Sequence, residues 1–178
     1  KRELPNYQVF DERRYFTPGN GVGVFEVEGV RVGLLICEDA WFDEPARLAR
    51  DAGAQMLAVL NASPFHAGKG PEREQRMCER VADCGLPLIY AHLVGGQDEV
   101  IFDGRSFALN AQGQAVARAE GFREASMTVQ VQVAAEGVDL SAAPEALVPR
   151  ASADAELWDA LVLGVRDYLG KNGFKGAI

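Results

Sequence analysis

The sequence predicts an α/β fold built on a mixed sheet, and three observations lead to that prediction. Apolar strand patterns alternate with helical patterns between residues 22 and 95. Both helical patterns have Pro near the start and Gly just past the end, as helices with well-defined termini often do. Beyond Gly95, polar and apolar residues alternate around Gly and Asn turns, which is typical of antiparallel strands. Alternating strands and helices favour α/β layering, and the later strands make the sheet mixed.

The chain opens with a predicted loop and a hairpin. Residues 1–21 show little apolar periodicity but contain Pro5, Asn6 and the turn-forming cluster TPGNG, so we expect an ordered loop. The stretch GVFEVEGVRVGLLIC then alternates around a Glu-Gly turn and becomes continuously apolar. We therefore expect a hairpin whose second strand, residues 30–37, is central and buried and ends at Cys37.

Two helices and two further buried strands follow in alternation. Helices are predicted over residues 43–52 and from about residue 71 to residue 84, each with Pro near its start and Gly after its end. The apolar runs AQMLAVLNAS and LPLIYAHLVG come directly after these helices and have the length of buried strands. Antiparallel strands complete a first domain over residues 1–133.

The rest of the chain is predicted to leave this domain. Residues 134–152 are rich in Ala, Ser and Pro and have few large apolar residues, so we expect a linker. A second domain would then start within residues 153–178, where apolar residues at helical spacing predict its first helix: Leu157, Trp158, Leu161, Val165, Tyr168 and Leu169. Because the chain starts with Lys and stops in the strand-like GFKGAI, we expect the natural protein to extend in both directions.

Composition narrows the classes of function. The chain has 178 residues, 48% hydrophobic and 25% charged, with a formal net charge of −8, so a nucleic-acid backbone would on average be repelled. No apolar run approaches the roughly 20 residues of a membrane span, and no signal-peptide pattern opens the chain. We expect a cytoplasmic protein whose three cysteines are reduced.

Cys37 is the candidate reactive residue. It ends a predicted buried strand, where open α/β sheets bind ligands, and Glu38, Asp39 and Trp41 interrupt the apolar run directly after it. The alternative is an ordinary core cysteine, which is how we interpret Cys78 and Cys84. Two adjacent carboxylates would raise the pKa of the thiol, so a thiolate needs a cation from elsewhere. The stretches KRELPNY and GKGPER both offer one.

Several motifs together resemble one family. KRELPNYQVFDERRYFTPG, the strand-borne ICEDAW, NASPFHAGK and VGGQDEVIFDGRSF resemble the nitrilase, or carbon-nitrogen hydrolase, superfamily. More narrowly they resemble the glutaminase domains of the glutamine-dependent NAD synthetase family, over about the first 133 residues. The closing NGFKGAI resembles the start of the synthetase domain of that family. The resemblance implies a nitrilase-like αββα sandwich, incomplete here at its N-terminal side.

The resemblance also implies catalytic roles. Members of the superfamily use a Glu-Lys-Cys triad with a second glutamate nearby, which makes Cys37 the nucleophile and Lys1 the triad lysine. Glu12 matches the second glutamate, expected to hold the lysine; the alternative is an exposed loop acid. The triad glutamate is expected on an earlier strand, before Lys1, so a fragment without it should be close to inactive.

Glutamine recognition follows from the same resemblance. The residues matched to the substrate pocket of the family are Tyr7, Glu38 and Ser63, with Arg73 facing the α-carboxylate and Arg76 as the weaker choice. For Arg73 the alternative is a solvated helix charge. Asp39 and Trp41 are interpreted as structural. His66 is expected at the surface and His92 in the core, and no spacing suits a metal site.

The expected function is therefore glutamine hydrolysis that supplies ammonia to a second domain, where ATP and Mg²⁺ serve the amidation of deamido-NAD. No cofactor is expected in the present segment, and the family implies a homo-oligomer. Two alternatives stay open. One is a stand-alone amidase or nitrilase of the same superfamily, and the other is a non-catalytic module that holds oligomers or docks a synthetase.

Overall fold

The computed structural model describes residues 1–135 and 137–176. Strands and helices within these ranges are numbered in chain order. The strands are β1 Gly23–Val27, β2 Val30–Ile36, β3 Met56–Asn61, β4 Leu88–His92, β5 Val94–Gln97, β6 Val100–Asp103, β7 Phe107–Leu109, β8 Ala115–Arg118, β9 Gln130–Ala134 and β10 Gly137–Ser141. The α-helices are α1 Asp43–Asp51, α2 Lys69–Cys84 and α3 Ala153–Lys171.

Six strands form one mixed sheet in the order β1-β2-β3-β4-β7-β8. The central pairs β2–β3 and β3–β4 are parallel, whereas β1–β2, β4–β7 and β7–β8 are antiparallel. The pairs β5–β6 and β9–β10 form separate two-stranded hairpins. The predicted α/β fold with a mixed sheet is confirmed, and the three parallel strands end at the same edge.

The two faces of the sheet are covered differently. On one face, α1 and α2 pack through Ala46, Ala49, Met77 and Val81 onto buried strand residues such as Leu57. On the other face, the β9–β10 hairpin covers a cluster of Val30, Val32, Met56, Ala108, Ala117, Val138 and Leu140. The parallel strands are therefore buried on both faces, which explains why their sequences are continuously apolar.

The boundaries of the predicted elements hold with small shifts. The β1–β2 turn lies at Glu28 and Gly29, which both have positive φ (49° and 80°), as a two-residue hairpin requires. Helix α1 ends one residue earlier than predicted, and α2 begins at Lys69, two residues before Pro71. Proline is tolerated there because the amide groups of the first turn have no partner within the helix.

The prediction of a linker is wrong for part of residues 134–152. Strand β10 lies there, pairs antiparallel with β9 and buries Val138 and Leu140 against the sheet. A strand with one buried face needs only alternate apolar residues. Because the surrounding residues are mostly small, the sequence did not indicate a strand here. The division into domains at residues 133 and 152 stays a prediction.

Helix α3 is confirmed and packs on the β5–β6 hairpin. Its buried residues are Ala160 and Leu163, whereas the apolar residues Leu157, Trp158, Leu161 and Val165 are exposed. The contact is close because Gly96 meets Gly164, where a methyl group on Gly96 would lie 3.2 Å from the Gly164 Cα. Asp167 accepts from the Gly96 amide at 2.7 Å, and the Lys171 ammonium donates to the Gly96 carbonyl at 2.6 Å.

In the described ranges no helix is long and apolar enough to cross a membrane.

Candidate active site

A cleft opens at the edge where the parallel strands end. Its volume is about 480 Å³. The residues at or just after the ends of β2, β3 and β4 line it together with the N-terminal loop: Ile36, Cys37, Leu60, Asn61, Ala62, Ala91, His92, Leu93, Lys1, Phe10 and Glu12. The predicted position of Cys37 at the carboxyl end of a central strand is confirmed, and this edge is where open α/β sheets bind ligands.

Cys37 has an unusual backbone. It directly follows β2, begins the 3₁₀ turn Cys37–Trp41 and has a φ of 52°, in the left-handed region that L-residues rarely adopt. Strain of this kind persists where the surrounding structure enforces it, and it is concentrated at active sites. The turn points the buried side chain of Cys37 into the cleft instead of into the sheet.

Lys1 and Glu12 form an ion pair in the same cleft. The Lys1 ammonium donates to both carboxylate oxygens of Glu12, at 2.6 Å to Oε1 and 2.5 Å to Oε2. The two side chains are 14% and 22% exposed, so the pair is shielded but reachable from the cleft. Glu12 thus contacts the lysine as predicted, and it is not a free loop acid.

The electrostatics at Cys37 work against a resting thiolate. Burial raises the pKa of the Cys37 thiol. A backbone hydrogen bond from Ala62 and the charge of Lys1 lower this pKa, whereas Glu38 and Glu12 raise it. Because the net direction is upward, the thiol needs a base to take its proton during any attack.

Tyr7 and Glu38 meet beside the nucleophile. The Tyr7 hydroxyl donates to Glu38 Oε1 at 2.8 Å and lies 3.0 Å from Oε2. Partial burial and Glu38 raise the pKa of Tyr7 to about 12, so the phenol stays protonated. The pair couples the N-terminal loop to the residue that follows Cys37, and it presents an anionic carboxylate with a hydroxyl.

Ser63 and His92 lie deeper at the strand ends. Ser63 is buried, and its hydroxyl accepts from the Asn61 side-chain amide at 3.4 Å. His92 Nε2 lies 3.1 Å from the Ser63 carbonyl and donates to it. Burial and the charge of Arg73 lower the pKa of His92 to about 4, so the ring is neutral near pH 7. His92 is a buried residue as predicted, but it also lines the cleft.

Arg73 does not occupy the position that sequence reasoning gave it. Its side chain is 3% exposed and forms a bidentate pair with Asp103, at 3.0 Å from Nη1 to Oδ2 and 2.6 Å from Nη2 to Oδ1. The prediction of a guanidinium open to a ligand carboxylate is not supported, because Asp103 already neutralises it. The alternative of a solvated helix charge is wrong as well.

Two other cations lie near Trp41. Lys69 Nζ is 4.1 Å from the centre of the Trp41 ring and 3.1 Å from Glu72, and its side chain is 18% exposed. Arg76 lies 5.8 Å from the same ring and pairs with Glu79 at 2.8 Å. Lys69 belongs to the stretch GKGPER, which sequence reasoning named as a source of a cation, but it was not chosen as a site residue. The structure places it at the start of α2, which packs against the Cys37–Trp41 turn.

Asp39 is bonded to the backbone, as expected of a residue that stabilises the turn. It is 3% exposed, and its carboxylate accepts from the backbone amides of Arg2 and Glu3, both at 2.8 Å, and of Ile36 at 3.2 Å. His66 is exposed and lies 3.4 Å from the Ala67 carbonyl, outside the cleft lining. Among the described residues no cluster of three or more His, Cys, Asp or Glu could hold a metal ion.

Comparisons with known proteins place this chain in a family. A model of the carbon-nitrogen hydrolase family matches residues 1–143. A glutamine-dependent NAD(+) synthetase of Xylella fastidiosa is 43% identical over 177 residues, covering 98% of this chain and 32% of the relative. The chain therefore spans about a third of the length of the curated relatives it matches.

Solved structures extend these similarities. A glutamine-dependent NAD+ synthetase from Acinetobacter baumannii, solved with ADP, superposes with a TM-score of 0.90 and 36% identity over 99% of this chain and 33% of that one. An amidase from Nesterenkonia sp. AN1, whose structure records Michael addition of acrylamide at the active-site cysteine, superposes with a TM-score of 0.60 and 25% identity over 82% of this chain and 50% of that one. The predicted nitrilase-like α/β fold is thereby confirmed.

Proposed function

We propose that this chain, which belongs to the carbon-nitrogen hydrolase family, is the glutamine-hydrolysing part of a glutamine-dependent NAD synthetase. The observation that carries the proposal is the cleft in which Cys37 lies with the Lys1–Glu12 pair at the carboxyl edge of the sheet. The similarity to NAD synthetases along nearly the whole chain supports glutamine as the substrate.

The first half of the reaction forms a covalent intermediate. A base takes the Cys37 proton as the sulfur attacks the side-chain amide carbon of glutamine, and the carbonyl oxygen becomes an oxyanion. The Lys1 ammonium and the backbone N–H of Glu38 stabilise that oxyanion. The proton passes to the amide nitrogen, the carbon-nitrogen bond breaks, and ammonia leaves a glutamyl thioester on Cys37.

The second half returns the free enzyme. A water molecule gives a proton to the base and attacks the thioester carbon, and the same donors stabilise the second oxyanion. The carbon-sulfur bond then breaks to release glutamate, and the base returns its proton to the Cys37 sulfur. The raised pKa of Cys37 supports a mechanism in which the thiol is deprotonated during attack. The base is the triad glutamate expected before Lys1, and Glu12 holds the lysine.

Two groups would recognise the amino-acid end of glutamine. The Glu38 carboxylate, with Tyr7 bonded to it, suits the α-ammonium, since a charge-assisted hydrogen bond favours a cation there. Asp103 holds Arg73 in the interior, whereas the partner of Lys69, Glu72, is half exposed, so Lys69 is the better candidate for the α-carboxylate. It is shielded and lies against Trp41 of the nucleophile turn.

The fate of ammonia follows from the proposed identity. In the whole protein it would amidate deamido-NAD with ATP and Mg²⁺, in a domain that begins within residues 153–178. No residue of the present chain is assigned to ATP or to the metal ion. A homo-oligomer and a cytoplasmic location remain part of this proposal.

The second candidate is a stand-alone amidase, which the similarity to the Nesterenkonia amidase favours. The intact protein is assayed for ammonia release with glutamine, aliphatic amides and nitriles, and for glutamate release with glutamine. The substrates that it hydrolyses separate the two candidates. Glutamine hydrolysis that is lost in Cys37→Ala but kept in Cys78→Ala supports the proposal. Turnover of simple amides without glutamine supports the amidase. No turnover of any of them supports a non-catalytic module.

A further inference from the structure

The side chain of Asp39 joins the two halves of the cleft. Asp39 lies two residues after Cys37, on the same 3₁₀ turn. Its Oδ1 accepts from the amides of Arg2 and Glu3, which directly follow Lys1, and its Oδ2 accepts from the amide of Ile36, which directly precedes Cys37. One buried carboxylate therefore binds the backbone directly before the nucleophile and directly after the lysine.

We propose that Asp39 is a positioning residue that fixes the Lys1 ammonium relative to the Cys37 sulfur. This rests on the proposed function, in which Lys1 stabilises the thiolate and the oxyanion. The geometry supports it, because residues 1–22 form no strand of the described sheet and Asp39 bonds to their backbone directly. Further contacts of this loop are the Gly19 amide to the Lys1 carbonyl at 2.8 Å and the Arg2 side chain to Asn20 and Glu44.

A purely structural carboxylate would also destabilise the fold when removed, so stability alone cannot test the proposal. The reactivity of Cys37 can, because Lys1 lowers the pKa of that thiol. The titratable groups around Cys37 lie on the loop, on its own turn and on β4: Lys1, Tyr7, Glu12, Glu38, Asp39, Tyr90 and His92. Lys1 is the cation that displacement of the loop would move away, so the midpoint of alkylation should move to higher pH. Loss of the Asp39 charge by itself acts in the opposite direction, so an upward shift reports the displaced lysine.

The experiment measures the rate of iodoacetamide alkylation of Cys37 against pH in the intact protein, with the modified peptide identified by mass spectrometry. We expect Asp39→Ala to move the midpoint upward by about one pH unit, the size expected for loss of a nearby opposite charge. Lys1→Met should give the same shift, and the double variant should add nothing further. In Asp39→Ala, kcat for glutamine should fall by roughly 100-fold with a smaller change in KM.

A matched control is Asp139→Ala. Asp139 also accepts from two backbone amides, of Ala111 and Leu140 at 2.7 and 2.8 Å, but it lies outside the cleft lining, so its loss should leave the alkylation profile in place. Asp39→Asn keeps one acceptor oxygen and should give a smaller shift than Asp39→Ala. If Asp39→Ala does not fold, the shift in Asp39→Asn relative to wild type decides the question.

An alkylation profile of Asp39→Ala that superimposes on the wild type would overturn the proposal, as would a shift additive with that of Lys1→Met. Alkylation does not need glutamine hydrolysis. If the variants show the expected shifts but the wild-type protein has no glutaminase activity, the proposed function is rejected and the role of Asp39 is kept.

Discussion

Two cation-carboxylate pairs lie at the carboxyl edge of the sheet, and they differ in what surrounds them. Lys1 and Glu12 line the cleft with side chains 14% and 22% exposed, whereas Arg73 and Asp103 are 3% and 2% exposed. Both pairs make two hydrogen bonds at short distances. The type and pairing of the charged residues are therefore alike, and the two pairs differ in their access to the cleft that Cys37 lines.

The largest expected effect comes from breaking the pair in the cleft. Lys1→Met should lower kcat/KM for glutamine by roughly 10³-fold, because it removes an oxyanion donor of the kind worth that much in other enzymes. The free energy of unfolding should change by less than about 1 kcal/mol, since a partly exposed pair contributes little. Glutamate release and urea unfolding measure the two quantities.

The control for this change is another lysine that makes a short hydrogen bond. Lys171→Met removes the bond to the Gly96 carbonyl at the far end of α3 and should leave glutamine hydrolysis within about twofold. Equal losses of activity in both lysine variants would mean that the cleft pair has no special role.

Breaking the buried pair should mainly lower the free energy of unfolding, unlike breaking the pair in the cleft. Arg73→Met leaves Asp103 charged and without its partner in the interior, which costs about 3–5 kcal/mol of unfolding free energy. The double change Arg73→Met with Asp103→Leu should recover much of that loss, because no uncompensated charge remains. Urea unfolding of both variants checks this, and a full loss of glutamine binding in a folded Arg73→Met protein would restore the ligand role that we reject.

His92 lines the cleft, and its Nδ1 lies 4.0 Å from Asp103 Oδ1 of the buried pair. Its pKa predicts a pH dependence of stability. Burial and the charge of Arg73 lower the pKa of His92 to about 4 in the folded state, below its unfolded value near 6.5. The unfolded chain therefore takes up a proton first as the pH falls. Stability is fully present above about pH 6.5 and is lost toward pH 4, with a slope of up to about 1.4 kcal/mol per pH unit from this group.

The measurement compares wild type with His92→Gln in urea between pH 7 and pH 5. The variant should lack the part of the slope that His92 contributes. His66→Gln is the matched control, since that ring is exposed and lies outside the cleft. A wild-type slope unchanged in His92→Gln would show that the ring is not held neutral in the fold.

The smallest effect is expected at the rim of the cleft. Tyr7→Phe removes the hydroxyl that donates to Glu38 at 2.8 Å, and the loss of a hydrogen bond to a charged group should raise KM for glutamine by roughly tenfold. Tyr168→Phe, on the exposed side of α3, is a matched control that should change nothing. An effect on kcat larger than that on KM would move Tyr7 from substrate binding to catalysis.

Much of the fold was predictable, because apolar periodicity and Pro and Gly positions report directly on helices and strands. Strand β10 was not, since its two buried apolar residues stand among Ala, Gly and Ser. The partner of Arg73 was hidden for a different reason. Asp103 is 30 residues away, and only the β5–β6 hairpin folding back brings it to α2.

The candidate site likewise contains residues that the sequence predicted and contacts that it did not. Cys37, Lys1 and Glu12 could be named from motifs, and the structure brings all three to one cleft. The backbone amides that Asp39 accepts from could not be foreseen, because a hydrogen bond across more than 30 residues leaves no local pattern. Sequence reasoning therefore named the residues that line the cleft better than it foresaw the contacts that hold them in place.

The most direct test of glutamine hydrolysis at Cys37 is mass spectrometry of the intact protein after acid quench during turnover. We expect a glutamyl adduct on the peptide that contains Cys37, bound as a thioester and absent from Cys37→Ala. Glutamate release at the wild-type rate by Cys37→Ala, or an adduct on another residue, would contradict the account.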